Sequence, residues 1–393
     1  MPKPLHVGLN LIFLVPRETG GMEIYARELI TALRRAEPEL KLTAFINREL
    51  QRAGDQDWLE GVATVPLPLE ARNRFQWVLG EQFLLPPLAM RAGVDVLHSL
   101  SSTSPAWGRF RRVVTILDLH YKLFPKTHAG FRAYGMKFLV PLAARRAHRI
   151  IAISENTAKD VTRFLNVPAR KIDVIPQGSG AAGTVESLPE KDVRQRFSLD
   201  SRSVLLTMAA KRPHKNLLRL LDALALIPHE RRPILVMPGY PTEHESELKR
   251  YAGKLNLESD VRFPGWITAE EVEGLYASAA AFIFPSLYEG FGLPVLEAMA
   301  RGVPVACSNR GALPEVAGDA ALIFDAEDAN TIAAAIEKML FDDREAERLR
   351  RAGKKRAAQF SWEENARQTI STYYKVLSVP KSYRTARVCV GAS

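Results

Sequence analysis

Residues Ser286 to Ala300, SLYEGFGLPVLEAMA, decide how the rest of the chain is read. They hold two carboxylates, Glu289 and Glu297, with two glycines and a proline between them. The preceding stretch, AAAFIFPS (Ala279 to Ser286), is short, apolar and aromatic, the pattern of a buried strand. The residues after Pro294, VLEAMARG, read as a helix with Pro294 at its first position, where a missing N–H costs nothing. Glu289 is therefore expected on the loop at the carboxyl end of a strand, and Glu297 in the first turn of the next helix. In an open α/β sheet that place is the ligand crevice. Gly290 and Gly292 let backbone N–H groups approach a ligand, and a helix N-terminus adds a positive field suited to phosphate. Fixed acceptors beside anion donors suit a ligand carrying both hydroxyls and phosphates, and a nucleotide sugar carries both.

Working outward, the first half alternates strand and helix signals. Strands are expected at Val7–Leu11, Leu42–Ile46, Val94–His98, Arg112–Leu117, Arg149–Ile153 and Ile172–Ile175, and helices at Met22–Arg35, Phe75–Met90, Phe131–Arg146 and Glu155–Leu165, the last with Ser154 as N-cap. Such alternation means a parallel, doubly wound sheet. PQGSGAAGTVESLPE (Pro176 to Glu190) is the best linker, and alternation then resumes. Strands are expected at Val204–Met208, Ile234–Met237, Val261–Phe263, Ala281–Pro285 and Pro304–Ser308, and helices at Leu217–Leu226, Glu243–Lys254, Ala269–Ser278, Pro294–Arg301 and Asn330–Phe341. The fold class is α/β: two Rossmann-like doubly wound lobes facing a central cleft. The expected division is residues 1–178 for an acceptor-binding lobe and 179–361 for a nucleotide-sugar-binding lobe. The helix in SWEENARQTISTYYKVL starts with a Ser cap and a Glu three residues later; residues 362–380 are expected to pack back on the first lobe, and 381–393 to form a flexible tail.

At 393 residues the chain exceeds one ordinary core, and 47% apolar and 25% charged residues are proportions of a soluble protein. No run is long enough to span a bilayer. The N-terminal MPKPLHVGLNLIFLVPRE lacks a small-x-small cleavage site and alternates like a first strand, so it is read as mature protein. Two distant cysteines, Cys307 and Cys389, fit a reducing cytoplasm. The net charge of +10 is uneven: residues 1–178 hold 25 Lys+Arg against 16 Asp+Glu, and residues 179–393 hold 29 against 28. A basic first lobe suits an anionic membrane surface or a lipid-linked acceptor at the inner membrane face. RFRR (Arg109 to Arg112), RNRF (Arg72 to Phe75) and the aromatic-basic helix from Phe131 carry that charge. No zinc-finger spacing, RNA-binding aromatic signature or long basic helix points to nucleic acid.

With these residues in place the chain resembles glycosyltransferase family 4, whose fold is the two-lobed GT-B arrangement and whose stereochemistry is retaining. The resemblance runs from GGMEIYARELI through HKN to the final helix, and is strongest over Phe284 to Asp325. It implies that Glu289 accepts hydrogen bonds from donor-sugar hydroxyls and stabilises the developing cationic sugar, while Glu297 accepts from the ribose hydroxyls. It places the backbone of Gly290, Phe291, Gly292 and Leu293 beside the sugar and diphosphate, Lys215 on the donor phosphates, and Gly20 and Gly21 close to the diphosphate and the acceptor. Lysine is a suitable point charge for a leaving diphosphate. Two departures stand out. The family's arginine about six residues before the HKN lysine is replaced by Ala209, with Lys211 or Arg212 as substitutes. Where the family often has a histidine just before the aspartate of the loop after VVTI, this chain has Leu117, with Asp118 in place and His120 two residues on. His120 or Asp118 is the candidate to serve the donor sugar or orient the acceptor.

The resemblance implies hexose transfer from a nucleotide diphosphate sugar to a glycan or lipid-linked hydroxyl, with GDP-mannose the first expectation and UDP-glucose the second, and no cofactor or metal. Asp55-Gln56-Asp57 spells a metal-binding DxD, but no strand leads into it, and it reads as surface. His98, His128 and His148 lack ligand spacing. No Walker lysine motif and no G-x-G-x-x-G after the first strand speak for NTPase or dehydrogenase chemistry. Two other functions stay open at this level: a sugar-nucleotide epimerase or hydrolase on the same fold, and a non-catalytic sugar-nucleotide-binding protein.

Overall fold

The structure is a computed structural model that describes residues 4–54, 56–124, 131–180, 185–239 and 242–378. The described strands fall into two sheets, paired in parallel throughout. The first holds β1 (His6–Asn10), β2 (Lys41–Ile46), β3 (Ala63–Pro66), β4 (Val96–Ser99), β5 (Arg111–Ile116), β6 (Arg149–Ala152) and β7 (Ile172–Val174), in the order β3-β2-β1-β4-β5-β6-β7. The second holds β8 (Val204–Leu206), β9 (Ile234–Val236), β10 (Val261–Arg262), β11 (Ala279–Phe284), β12 (Val305–Ser308) and β13 (Leu322–Phe324), in the order β10-β9-β8-β11-β12-β13. Helices cover both faces, so the central strands are buried on each side. That is why HVGLN, VLHS, VLL and ILV read as near-continuous apolar runs.

Each sheet reverses its strand order beside its first strand, at β1/β4 and at β8/β11. A crevice opens outside the carboxyl ends of the strands at such a point. The segments leaving β8 and β11 carry Lys215 and Glu289; those leaving β1, β4 and β5 carry Gly20, Ser101 and Asp118.

The chain crosses between lobes twice, and the two crossings touch. Ser179 N–H donates to Phe360 O (3.0 Å), and a Cβ on Gly178 would sit 2.5 Å from Trp362 N. The helix Trp362–Ser378 then lies on the first lobe against the helix Gly21–Ala36. Tyr373 OH is 2.7 Å from His98 Nδ1, Asn365 Nδ2 donates to Pro176 O (2.6 Å), and the rings of Tyr25 and Trp362 are 5.8 Å apart. Ser361 caps this helix through Glu364 N–H (3.1 Å). Residues 381–393 lie outside the described residues, as does most of the linker's glycine-rich centre, 181–184.

Several elements differ from the sequence reading. The helix expected over Phe75–Met90 is broken into Arg74–Leu79, a π-turn Gly80–Leu84 and Leu85–Ala92. Pro86 and Pro87 cannot donate to the preceding carbonyls, so the helix changes its hydrogen-bond register there. The edge strands β3 and β13, and the helices Glu190–Arg196 and Asp343–Ala357, were not expected. Both strands lie at sheet edges and are mostly not buried; β3 (ATVP) shows no apolar run, and β13 (LIF) is only three residues long. The helix Asp343–Ala357 buries only Ala346, Leu349, Gly353 and Ala357, too thin a stripe to stand out among its charges.

Candidate active site

The stretch that opened the sequence reading folds largely as expected, with two adjustments. The helix is Leu293–Ala300, capped by Gly292 at φ 109°, so Pro294 is its second residue and Glu297 its fifth. Glu297 therefore lies in the second turn, facing sideways rather than at the helix start. Its Oε2 accepts from the buried Tyr276 hydroxyl (3.3 Å). Burial raises its pKa, and the Arg301 guanidinium opposes the rise.

Glu289 lies at the crevice. Lys215 Nζ, on the loop after β8, donates to its Oε1 at 2.6 Å, both side chains being largely buried, and the same ammonium lies 5.3 Å from the Phe284 ring centroid. The two loops are also tied through backbone, Leu287 N–H to His214 O (2.8 Å). Glu289 is further held from below: Ala312 N–H donates to its carbonyl (3.0 Å), and Gly311, at φ 59°, passes so close that a Cβ would lie 2.6 Å from that oxygen.

The first lobe reaches this group from the loop after β5. Asp118 is close enough that Glu289 and Lys215 both act on its charge. Burial is the main cause of its raised pKa, Glu289 adds to the rise, and the His120 N–H and Lys215 oppose it. His120 N–H donates to Asp118 Oδ1 (3.0 Å). The His120 ring is buried, 4.0 Å by centroid from His214 of the second lobe and stacked at 5.3 Å on Phe124. Asp118, His120, Lys215 and Glu289 thus form one interlobe group. Gly20, the N-cap of the helix Gly21–Ala36 at φ 62°, and Gly21 are exposed, with open space where a Cβ would stand. Their neighbours Thr19 and Met22 line a cavity of about 240 Å³ at the first lobe's switch point, with Trp77, Ser101 and Met136, and Arg212 reaches it from the second lobe. Its lining is part polar and part apolar, which suits an amphipathic ligand.

Three expected site residues also have structural roles. Lys211 is fully buried; its Nζ donates to Gly239 O (2.9 Å) and pairs with Glu245 (3.2 Å), and burial lowers its pKa. It is a structural tie, which leaves Arg212 as the exposed cation beside the cavity. The Phe291 side chain is buried edge-on against Phe360 of the crossing, ring centroids 5.8 Å apart, so only its backbone faces the loop. Gly290 is a glycine for lobe contact: a Cβ there would overlap the Leu117 carbonyl of the other lobe. Its carbonyl accepts from Ser154 Oγ (2.7 Å) and Thr157 Oγ1 (3.2 Å).

Ser154 is the expected N-cap, accepting from Thr157 N–H (3.0 Å), but its bond across the lobes had no sequence signal. The same helix start, Glu155–Leu165, is also capped from the second lobe. Glu315 Oε1 accepts from Glu155 N–H (2.8 Å) and its Oε2 from Asn156 N–H (3.0 Å). Tyr288 OH completes the clasp on Asp160 (2.7 Å). Ser101 was also missed; its Oγ is buried at the cavity with no protein partner among the described residues. Of the other motifs, Asp57 is exposed and Asp55 and His128 lie outside the described residues. His98 and His148 are structural: burial lowers the pKa of His98 to about 3, and burial with neighbouring arginines lowers that of His148 to about 4.

Comparison with known proteins fits this geometry. Residues 19–179 match the family model for Glycosyltransferase Family 4, and residues 190–356 match that for Glycosyl transferases group 1. The chain is 35% identical over 274 residues to O-antigen chain mannosyltransferase B of Escherichia coli, spanning 67% of this chain and 70% of that protein. The chain belongs to glycosyltransferase family 4. A second relative, MMP alpha-(1->4)-mannosyltransferase of Mycolicibacterium hassiacum, is 30% identical over 256 residues, which cover 63% of this chain and 59% of that protein. Among solved structures, sucrose-phosphate synthase from Thermosynechococcus elongatus superposes with a TM-score of 0.74, covering 95% of this chain and 99% of that one at 22% identity. That likeness concerns the fold alone, which is GT-B. As a glycosyltransferase, this chain holds its Lys215–Glu289 pair in the second lobe, opposite the Asp118 loop and the glycine loop of the first.

Proposed function

We propose that this glycosyltransferase moves a mannosyl group from GDP-mannose, with retention, to a hydroxyl of a glycan or lipid-linked acceptor in surface-polysaccharide assembly, without a metal. The observation that carries the reading is the Lys215–Glu289 pair at the second lobe's switch point, facing Asp118 across the cleft. The mannosyl preference rests on the names of the relatives. The donor's diphosphate takes the Lys215 ammonium and the amides at Gly290–Leu293. Glu289, released from the lysine, accepts from the sugar hydroxyls, and Glu297 from the ribose. The acceptor lies in the first-lobe cavity beside Gly20, where Ser101 and Arg212 offer polar contacts. In the transfer, the acceptor oxygen bonds to the anomeric carbon on the face from which the phosphate oxygen departs, and that phosphate oxygen takes the acceptor's proton. The protein supplies position and charge. The enzyme works in the cytoplasm, peripherally at the inner membrane face.

A thermal-shift panel of GDP, UDP and ADP tests the nucleotide, because a ligand that binds only the native state raises the melting temperature. GDP is expected to give the largest shift. Incubation with GDP-mannose and no acceptor is expected to leave the donor intact in the presence of a chelator; full turnover alone identifies an epimerase or hydrolase instead. Product anomeric configuration, read by NMR coupling, tests retention.

A further inference from the structure

Glu297 lies in the second turn of its helix, and a closed ring of side chains between two helices holds it there. The Tyr276 hydroxyl donates to Oε2 (3.3 Å). Tyr276 is buried on the helix Ala269–Ser278, and the Arg301 guanidinium lies 4.7 Å from its ring centroid. Arg301 is in turn paired with Glu273, one turn before Tyr276 on the same helix: its Nε donates to Oε2 (2.9 Å) and its Nη2 to Oε1. The remaining nitrogen, Nη1, donates to the backbone carbonyl of Glu297 itself (3.0 Å), which closes the ring. The Arg301 and Glu273 side chains are each 13% exposed, so salt screens the pair little.

This arrangement divides the two carboxylate oxygens. Oε2 is taken by the tyrosine. Oε1 takes no hydrogen bond among the described residues and faces the linker, 4.0 Å from where a Cβ on Gly180 would stand. A carboxylate fixed through one oxygen presents the other in a single direction, and the planar fork of an arginine fixes both partners of the tyrosine at once.

Charge adds a second effect. Burial is the main cause of the raised pKa of Glu297, Arg301 opposes the rise most, the Tyr276 hydroxyl opposes it too, and Glu273 adds to it. Of the other elements packed on this helix, β11 and β12 carry no charged side chain, the linker presents Gly180, and Lys354 of the helix Asp343–Ala357 lies against Gly302. Arg301 therefore favours the ionised carboxyl, the form that accepts from two hydroxyls.

We infer that Arg301 and Glu273 are positioning residues for the donor: acting through Tyr276, they hold Glu297 by Oε2 and leave Oε1 to the donor's ribose beside the linker. This role rests on the ribose reading of Glu297, and neither residue touches the donor itself.

The test is the affinity for GDP-mannose, by isothermal titration between pH 5 and pH 8, of the wild type and of Glu297→Gln, Arg301→Met, Arg301→Lys and Glu273→Gln. Wild-type binding is expected to weaken as pH falls and Glu297 takes a proton. Arg301→Met should bind about tenfold more weakly at pH 7. It should also move the fall to higher pH by about one unit, because the carboxyl has lost its cation. Glu273→Gln, nearly isosteric, should move the fall to lower pH, because a neighbouring acid has gone. Arg301→Lys keeps the charge without the fork, so its midpoint should stay near that of the wild type while its binding is weaker. Damage to packing alone would not shift the midpoint in opposite directions. The inference is overturned if Glu297→Gln weakens binding and abolishes the fall while Arg301→Met and Glu273→Gln keep the wild-type midpoint. Unchanged binding in Glu297→Gln would instead sink the ribose reading. A measurement without ligand decides the ring by itself: the Tm lost in Arg301→Met should be partly regained when Glu297→Gln is added, since one of two uncompensated acids has gone. No recovery there overturns the ring, whatever the donor does.

Discussion

Lys215 and Glu289 neutralise each other across the second lobe's switch point, Nζ to Oε1 at 2.6 Å, at the place where a donor's diphosphate and sugar would meet. A ligand phosphate therefore competes with a carboxylate for the same ammonium. Removing the carboxylate is expected to have opposite effects on binding and on chemistry. Glu289→Ala should bind nucleoside diphosphate at least as tightly as the wild type while its kcat falls, about ten- to a hundredfold for one lost charge-assisted hydrogen bond. Isothermal titration with the diphosphate, beside initial rates with the sugar nucleotide, separates the two. Unchanged kcat would remove Glu289 from the chemistry.

Glu297 sits deeper and away from the lysine, on Tyr276 OH. Glu297→Ala is expected to act mainly on donor KM, raising it about tenfold, with a smaller change in kcat. Tyr276→Phe, which keeps the ring and removes the hydroxyl, should raise KM in the same direction by less. Loss of kcat alone in Glu297→Ala would contradict a ribose-binding role.

Glu315 and Gly290 join the lobes where the Glu289 loop meets the helix Glu155–Leu165. Glu315→Ala removes an anion from a helix N-terminus and two hydrogen bonds across the cleft, interactions worth about 1–3 kcal/mol together. Gly290→Ala places a methyl against Leu117 O. Both variants are expected to shift small-angle scattering toward a more open molecule and to lower kcat/KM with little change in secondary structure by circular dichroism. Glu315→Gln, which keeps an acceptor oxygen, should recover part of the loss. An unchanged radius of gyration in both would mean that the clasp does not set closure.

Glu81 is buried in the π-turn, accepting from Asn10 Nδ2 (2.9 Å) and Thr103 Oγ1 (2.9 Å), and burial pushes its pKa up to about 7 from 4.5. Its folded-state pKa lies above its unfolded one, so its contribution is full below pH 4.5 and is lost as pH rises through 7, about 3 kcal/mol across that window. His98, with a folded pKa lowered to about 3, works the other way, its contribution being lost as pH falls below about 6.5. Glu81→Gln isolates the first effect. The Tm of the variant relative to wild type is expected to rise between pH 5 and pH 8. A difference that stays flat would show that Glu81 keeps its charge when folded.

Much of this was legible before any coordinates. The apolar runs around β1, β8 and β11 mark strands buried on both faces, and the glycines that follow β1 and β11 mark crevices, because both signals belong to residues close in sequence. Glu289 could be assigned to a strand's carboxyl end in this way, whereas Lys215 was singled out by the resemblance of HKN. Lys211 could not be told from Arg212, since adjacent cations differ only in which way the loop turns them. The sequence also overstated the helix at 75–90, where two prolines shift its hydrogen-bond register.

The alternation of strands and helices, the crevice after β11 and the choice of acids are thus legible in the amino-acid order, while the order of strands within each sheet came with the structure. The tertiary structure decided which segments meet across the cleft: Ser154 with Gly290, 136 residues away, and Asn156 with Glu315, 159 residues away. Hydropathy and turn chemistry are set by neighbours along the chain. A bond between lobes depends on how two separately formed cores come to rest against each other, and no local pattern encodes that.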